Sequence, residues 1–161
     1  SEIDISDFDT SCHLIPPLRT VEDRQQLRDA LRQGTFTAVC SDHQPHEADA
    51  KLGPFPATEP GISGLDSLLS LGLRLVDEHA LELPELVQRL TAGPAGILGL
   101  PYGNLAVGMT ADVCIFNPSD SWQLDSNTMR SHGKNTPFAG WEMKGRVSHT
   151  LLAGKQVYTL N

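Results

Sequence analysis

The sequence predicts an α/β fold in which the strands and helices of a barrel are followed by a region of short strands. An apolar run at residues 36–40 leads directly into the polar hexapeptide Ser-Asp-His-Gln-Pro-His at residues 41–46. This pattern is typical of a buried parallel strand that delivers chemical groups to the C-terminal mouth of an α/β barrel. A helical pattern precedes the run, as a βαβ unit requires. From Gly103 onward, short strand patterns and turns predict a second, β-rich region.

The barrel-like part divides at recognisable start and stop signals. Residues 1–19 are predicted to hold one strand and its loop, and Thr20 is the predicted N-cap of a helix that Gly34 ends. Residues 47–63 are rich in Pro and Gly and exceed the ~12–15 residues of an ordinary loop, which favours a lid or a substrate loop. Leucine-rich residues 65–76 predict a long apolar helix, Pro84 opens a helix over 85–90, and residues 94–98 predict a further short helix.

The β-rich tail is predicted to contain three strands. The first covers residues 111–116 and ends at Asn117-Pro118, because proline interrupts a strand ladder. The other two cover residues 146–152 and 156–160, and the tripeptide Ala-Gly-Lys between them predicts a hairpin.

Composition excludes several classes of function. The 161 residues carry a formal net charge of −8, which argues against binding to a nucleic-acid backbone. The three cysteines are far apart and no C-x-x-C occurs, so neither a disulfide framework nor a structural zinc site is expected. No apolar stretch approaches the roughly 18 residues of a membrane span, and no leader pattern occurs. A cytoplasmic protein is therefore expected.

The hexapeptide supplies the candidate chemical groups, each of which also has an ordinary structural interpretation. Asp42 is a candidate metal ligand and acid/base group, or else a hydrogen-bonded acid at a strand end. His43 is as readily a structural histidine as a group that supports the site, and His46 is a candidate ligand-binding residue. Arg19 is interpreted as a member of a structural ion pair in preference to a substrate contact.

An ordered series of motifs along almost the whole chain resembles the last third of a dihydroorotase of the cyclic amidohydrolase superfamily. The motifs, by first residue, are Asp-Thr at 9, Ile-Pro-Pro-Leu-Arg at 15, the hexapeptide at 41, Glu-Pro-Gly-Ile at 59, Gly-Leu-Asp at 64, Pro-Ala-Gly-Ile-Leu-Gly-Leu at 94, Gly-Met-Thr-Ala-Asp-Val at 108 and Asn-Thr-Pro-Phe at 135.

The resemblance implies a portion of a (β/α)8 TIM-like barrel, namely its strands 7 and 8 and last helices in residues 1–93. A linker helix and part of a small β-sandwich would then fill residues 94–161. Members of the family hold zinc at the barrel mouth, where Asp42 matches a metal-binding aspartate that also acts as acid/base on the cyclic amide. His46 matches a group that binds the substrate carboxylate, and Pro60 and Gly61 match the loop over the substrate.

Three departures from the family pattern separate two classes of function. An asparagine that contacts the substrate amide is replaced by Ile15, the small residue between the two histidines is Gln44, and the H-x-H metal pair is absent. The H-x-H pair belongs to the first strand of the family barrel, which this chain does not include. Ile15 and Gln44 favour a catalytically inactive dihydroorotase-like protein of pyrimidine biosynthesis, a structural partner of aspartate transcarbamoylase, whereas Asp42 and His46 favour an active enzyme. The alternative is part of an active zinc dihydroorotase that converts dihydroorotate to carbamoyl aspartate. An allantoinase or hydantoinase is a third option.

The chain by itself is expected to bind no stoichiometric zinc and to be inactive, because Asp42 is the one metal ligand of the family pattern that it carries. It is also expected to self-associate into a dimer or a higher assembly. Either the strand at 36–40 or the helix at 65–76 would lie in the interface, since both lack their usual neighbours.

Overall fold

The computed structural model describes residues 1–160 and contains two compact units built from interleaved segments. The first unit comprises Ser1–Ala30, Ser41–Leu68 and Gln123–Glu142, and the second comprises Leu31–Cys40, Leu69–Trp122 and the chain from Met143 onward. The domain boundary predicted at residues 93/94 stays a prediction. None of the helices in residues 1–160 combines the length and the apolarity that a bilayer crossing needs.

The first long helix, α1 (Val21–Arg32), is delimited by the residues that the sequence indicated. The Thr20 hydroxyl accepts a hydrogen bond from the Asp23 backbone N–H at 3.0 Å, and the Asp23 carboxylate accepts one from the Thr20 backbone N–H at 3.2 Å. This reciprocal cap satisfies two donors that the helix itself leaves unpaired. Gly34 follows the helix with φ of 77°, the left-handed conformation that glycine adopts without strain.

Three further helices follow along the chain, α2 (Leu68–Asp77), α3 (Leu83–Leu90) and α4 (Ala92–Ile97), and residues of α2 and α3 contribute to the apolar centre of the second unit. Leu73, Leu81 and Leu86 are buried together at the centre of this cluster. Gly72 allows the close approach, because a Cβ at that position would lie 2.8 Å from the Leu86 side chain. Helix α2 begins three residues later than predicted, and Leu65 is exposed in the preceding turn.

The β-rich tail forms a three-stranded sheet of order β1-β2-β3, with β1 at Val113–Gln123, β2 at Glu142–Leu152 and β3 at Lys155–Thr159. Strands β2 and β3 pair antiparallel, and the turn between them has positive φ at Ala153 (48°) and Gly154 (78°), as a type I′ hairpin requires. The prediction that β1 ends at Pro118 was wrong. Strand β1 lies at the sheet edge, where a residue without an N–H is tolerated.

The two predicted barrel strands are not paired as strands within residues 1–160. Residues 1–19 contain two short 3-10 helices, Glu2–Ile5 and Thr10–Cys12, and no strand. Residues 36–40 are likewise not paired in a sheet, and the Val39 N–H instead bonds to the Arg89 carbonyl at 3.0 Å. A strand requires a hydrogen-bonded neighbour, and none lies beside these segments in the part of the chain that the structure describes.

Candidate functional site

Two segments of the first unit meet at the predicted site, one at residues 42–46 and the other at residues 60–64. His43 and Ile62 form an isolated parallel bridge, and the Gln44 N–H donates to the Ile62 carbonyl at 2.8 Å. The hexapeptide therefore lies beside the Glu-Pro-Gly-Ile motif, as the resemblance implied.

The predicted substrate-binding residues His46, Pro60 and Gly61 are close together. The His46 ring Nε2 lies 3.0 Å from the Pro60 carbonyl oxygen, and since a carbonyl can only accept, Nε2 carries the hydrogen. Gly61 follows with φ of 121°, a conformation that side chains rarely allow, and its N–H donates to the His13 carbonyl at 2.8 Å. Their role in binding a substrate carboxylate stays a prediction.

Asn135 joins the two segments and was not identified as a site residue from the sequence. Its amide nitrogen donates to the Gln44 carbonyl at 3.0 Å and to the Gly61 carbonyl at 3.1 Å, and its amide oxygen accepts from the His46 N–H at 2.7 Å. The residue is 8% exposed. The Asn-Thr-Pro-Phe motif was recognised in the sequence, but no spacing rule connects it to a residue 89 positions earlier.

Asp42 is exposed at the start of the hexapeptide and is engaged by Gln44. The Gln44 side-chain amide donates to the Asp42 carboxylate at 3.2 Å. The same side chain also fills the space beside Gly61, where an added Cβ would lie 2.6 Å from both Cβ and Oε1 of Gln44. Asp42 itself has φ of 42°, an uncommon left-handed conformation that aspartate tolerates better than most residues.

The residues that the structure describes do not by themselves fit a zinc ion. No cluster of three or more His, Cys, Asp or Glu side chains within residues 1–160 has the arrangement of a metal site. A protein zinc site needs about four ligands, or three and a water. The role of Asp42 as a zinc ligand therefore stays a prediction, and it requires further metal ligands from outside the residues that the structure describes.

His43 has a structural role. Its ring Nδ1 accepts hydrogen bonds from the Gly64 N–H at 3.1 Å and the Leu65 N–H at 3.3 Å, which places the ring hydrogen on Nε2. The side chain thereby caps the turn that leads into α2. This geometry supports the structural interpretation of His43, and its role as a group that supports the site stays a prediction.

Ile15 and Arg19 lie in the segment that precedes α1. Ile15 is 66% exposed and offers neither a donor nor an acceptor where the family places an asparagine. Arg19 forms an exposed ion pair with Asp23 at 3.4 Å, as the structural interpretation predicted. The role of Ile15 as a lost substrate contact stays a prediction.

The predicted loop at 47–63 is ordered by two 3-10 helices, Ala48–Lys51 and Phe55–Ala57, and by contacts with His13. The His13 ring stacks on Phe55 with 4.6 Å between centroids, and its Nδ1 lies 2.9 Å from the Thr58 hydroxyl. The Lys51 ammonium donates to the Glu59 carbonyl at 2.6 Å, and burial lowers its pKa below the ordinary lysine value. These contacts fix the loop on which Pro60 and Gly61 lie.

Comparison with known proteins gives consistent matches. The amidohydrolase family profile matches residues 13–157. A dihydroorotase-like protein of Pseudomonas aeruginosa is 50% identical over 91% of this chain and 34% of its own length. A dihydroorotase of Syntrophus aciditrophicus is 45% identical over 96% of this chain and 36% of its own length. Among solved structures, the L-hydantoinase (dihydropyrimidinase) of Arthrobacter aurescens matches with a TM-score of 0.89 and 26% identity, covering 100% of this chain and 38% of that one.

The chain thus spans about a third of the length of the relatives that it matches. The structural match confirms the predicted fold class, because the similar structures are cyclic amidohydrolases with an α/β barrel. The family profile covers most of the chain, including the hexapeptide, the loop that carries Gly61 and the segment that carries Asn135. On this evidence, the chain belongs to the amidohydrolase family.

Proposed function

We propose that the protein to which this chain belongs is a dihydroorotase-like protein that does not hydrolyse dihydroorotate and serves as a structural partner of aspartate transcarbamoylase. The observation that carries this proposal is the position of Gln44. Its amide bonds to the Asp42 carboxylate, which in active relatives must be available for the metal and the cyclic amide. Its side chain also occupies the space beside Gly61, where the resemblance places the substrate loop.

The exposed Ile15 supports the same proposal. An isoleucine in place of a substrate-contacting asparagine leaves polar substrate atoms without a partner, which costs on the order of 1–3 kcal/mol of binding free energy. The relative from Pseudomonas aeruginosa that is named as a dihydroorotase-like protein is 50% identical to this chain over 91% of the residues of this chain. A structural partner requires that the fold be retained and does not require catalysis.

The alternative is an active zinc dihydroorotase. In its favour, Asp42 is exposed, and the His46 ring is held in one orientation by the Pro60 carbonyl. In that case Asp42 would carry a proton to the departing ring nitrogen of the cyclic amide, as a general acid/base group does. The relative from Syntrophus aciditrophicus, named as a dihydroorotase, is similar to the chain to a comparable degree.

Sedimentation of the full-length protein with the catalytic subunit of aspartate transcarbamoylase tests the partnership. We expect a stoichiometric complex at micromolar concentration, and we expect Asp42→Asn to leave it unchanged because the contact does not depend on catalysis. Independent sedimentation of the two proteins would contradict the proposed partnership.

Restoring the lost asparagine separates the two functions. Ile15→Asn in the full-length protein is expected to create no dihydroorotate hydrolysis, because Gln44 still engages Asp42. Ile3→Asn is the matched control, since Ile3 is 64% exposed and lies outside the motifs. Measurable turnover in Ile15→Asn, absent from the control, would mean that one substrate contact alone had been lost and that the active alternative is correct.

A further inference from the structure

The side chain of Asn135 makes three hydrogen bonds, all to backbone groups of the two site segments. Two N–H donors are shared between the carbonyls of Gln44 and Gly61, and the oxygen accepts from His46. A primary amide offers two donors and one oxygen, so each polar atom of this side chain is in use. Such a buried amide is well suited to hold two chain segments at a fixed spacing.

The side chain of Asn135 bonds to both site segments at once, whereas the backbone bond between the segments joins them at a single point. The bond from the Gln44 N–H to the Ile62 carbonyl aligns the segments at one point. Asn135 adds a bond to the Gln44 carbonyl in one segment and a bond to the Gly61 carbonyl in the other, and it also fixes the backbone N–H of His46. With the backbone fixed, the His46 ring reaches the Pro60 carbonyl.

Asn135 is itself held firmly. Its carbonyl accepts from the Ser63 N–H at 2.8 Å. The Asp66 carboxylate accepts from the N–H groups of Arg130 and Ser131 at 2.9 and 3.1 Å, which anchors the preceding turn. Gly133 packs so closely against residues 45 and 46 that an added Cβ would lie 2.6 Å from the backbone nitrogen of His46.

We propose that Asn135 is the positioning residue of this site, which sets the backbone of His46 and the Pro60–Gly61 turn and thereby keeps the His46 ring hydrogen on Nε2. The inference concerns hydrogen bonds and a tautomer, so it holds whether or not the protein hydrolyses dihydroorotate. Its failure and the failure of the proposed function are therefore distinguishable.

Nitrogen-15 NMR of the histidine-labelled full-length protein, at a pH at which His46 is neutral, tests the proposal. In the unmodified protein we expect the His46 ring to show a protonated Nε2 and an unprotonated Nδ1. In Asn135→Ala we expect a mixture of tautomers and exchange of the His46 amide hydrogen that is about tenfold faster, the effect of one lost hydrogen bond. Asn104→Ala, at an exposed asparagine outside the site, is the control.

Asn135→Asp separates the contacts of the two amide atoms. It retains the oxygen that accepts from the His46 N–H but loses both donors to the carbonyls. We expect the His46 amide to stay protected while the ring signal changes as in the alanine variant. Asn104→Asp controls for the added charge.

Two results would overturn the proposal. One is a folded Asn135→Ala or Asn135→Asp protein in which the His46 ring signal is unchanged. The other is an unmodified protein whose His46 carries its hydrogen on Nδ1, a measurement that does not depend on any variant folding.

Discussion

Replacing Gly133 by alanine tests how closely the 129–136 turn packs against the site. The new Cβ would lie 2.6 Å from the backbone nitrogen of His46, 2.6 Å from the Cβ of Pro45 and 2.8 Å from the backbone oxygen of His46. Ordinary contact between such atoms requires about 3.5–4.0 Å, so the turn must move by roughly 1 Å. Two of the three neighbouring atoms are backbone, which cannot rotate out of the way as a side chain could.

The expected cost follows from these distances. Overpacking of a close contact costs about 1–3 kcal/mol of unfolding free energy. A shift of the turn also lengthens the bond between Asn135 and the His46 N–H, which is 2.7 Å long, and weakening it costs about 1 kcal/mol. Gly133→Ala is therefore expected to lower the free energy of unfolding by about 2–4 kcal/mol.

Denaturant unfolding with linear extrapolation measures this change. Gly96→Ala is the matched control, because Gly96 lies in α4 and a Cβ added there would have no neighbouring atom within 4 Å. The control is expected to be neutral or more stable by about 0.5–1 kcal/mol, as alanine favours a helix. A Gly133→Ala protein within about 0.5 kcal/mol of the unmodified protein would refute the close packing.

Three other predictions concern stability and assembly. Arg89 is 6% exposed and donates to the carbonyls of residues 31 and 36. Arg89→Met is therefore expected to lower the free energy of unfolding by about 2–4 kcal/mol in the same denaturant assay. The control, Arg24→Met at an exposed arginine, is expected to lower it by less than about 0.5 kcal/mol. Hydrogen bonds from Thr20 lower the pKa of Asp23 below its ordinary value of 3.8. The ionised Asp23 carboxylate therefore stabilises the fold fully at pH values above 3.8, and this stabilisation is lost as the pH falls through the lowered pKa. Asp23→Asn should therefore lower the melting temperature at neutral pH and not in strong acid, whereas equal losses at both would contradict the linkage. Light scattering should find the chain at least dimeric at micromolar concentration, and a monomer would contradict the predicted self-association.

Local signals in the sequence were sufficient for the helix and turn boundaries. The Thr20 cap, the Gly34 end and the hairpin at Ala153-Gly154 each depend on a few neighbouring residues, and all are confirmed. Pro84 likewise lies in the first turn of α3. Such features can be predicted because their free energy is decided within about one turn of chain.

Features that depend on distant residues could not be predicted in the same way. The apolar run at 36–40 has a strand pattern, but pairing requires a neighbour that residues 1–160 do not supply. The end of β1 was misplaced because the tolerance of Pro118 depends on its edge position, which the sequence does not state. The hydrogen bonds of Asn135 span 74 to 91 residues, so no local pattern indicates them.

Whether Asp42 supports hydrolysis in this protein is tested most directly by one paired measurement. Zinc content and the rate of dihydroorotate hydrolysis are measured on the full-length protein across added zinc, beside Asp42→Asn. We predict that both proteins give the uncatalysed rate at every zinc concentration. Zinc-dependent hydrolysis by the unmodified protein, abolished in Asp42→Asn, would contradict the proposal that the protein is inactive.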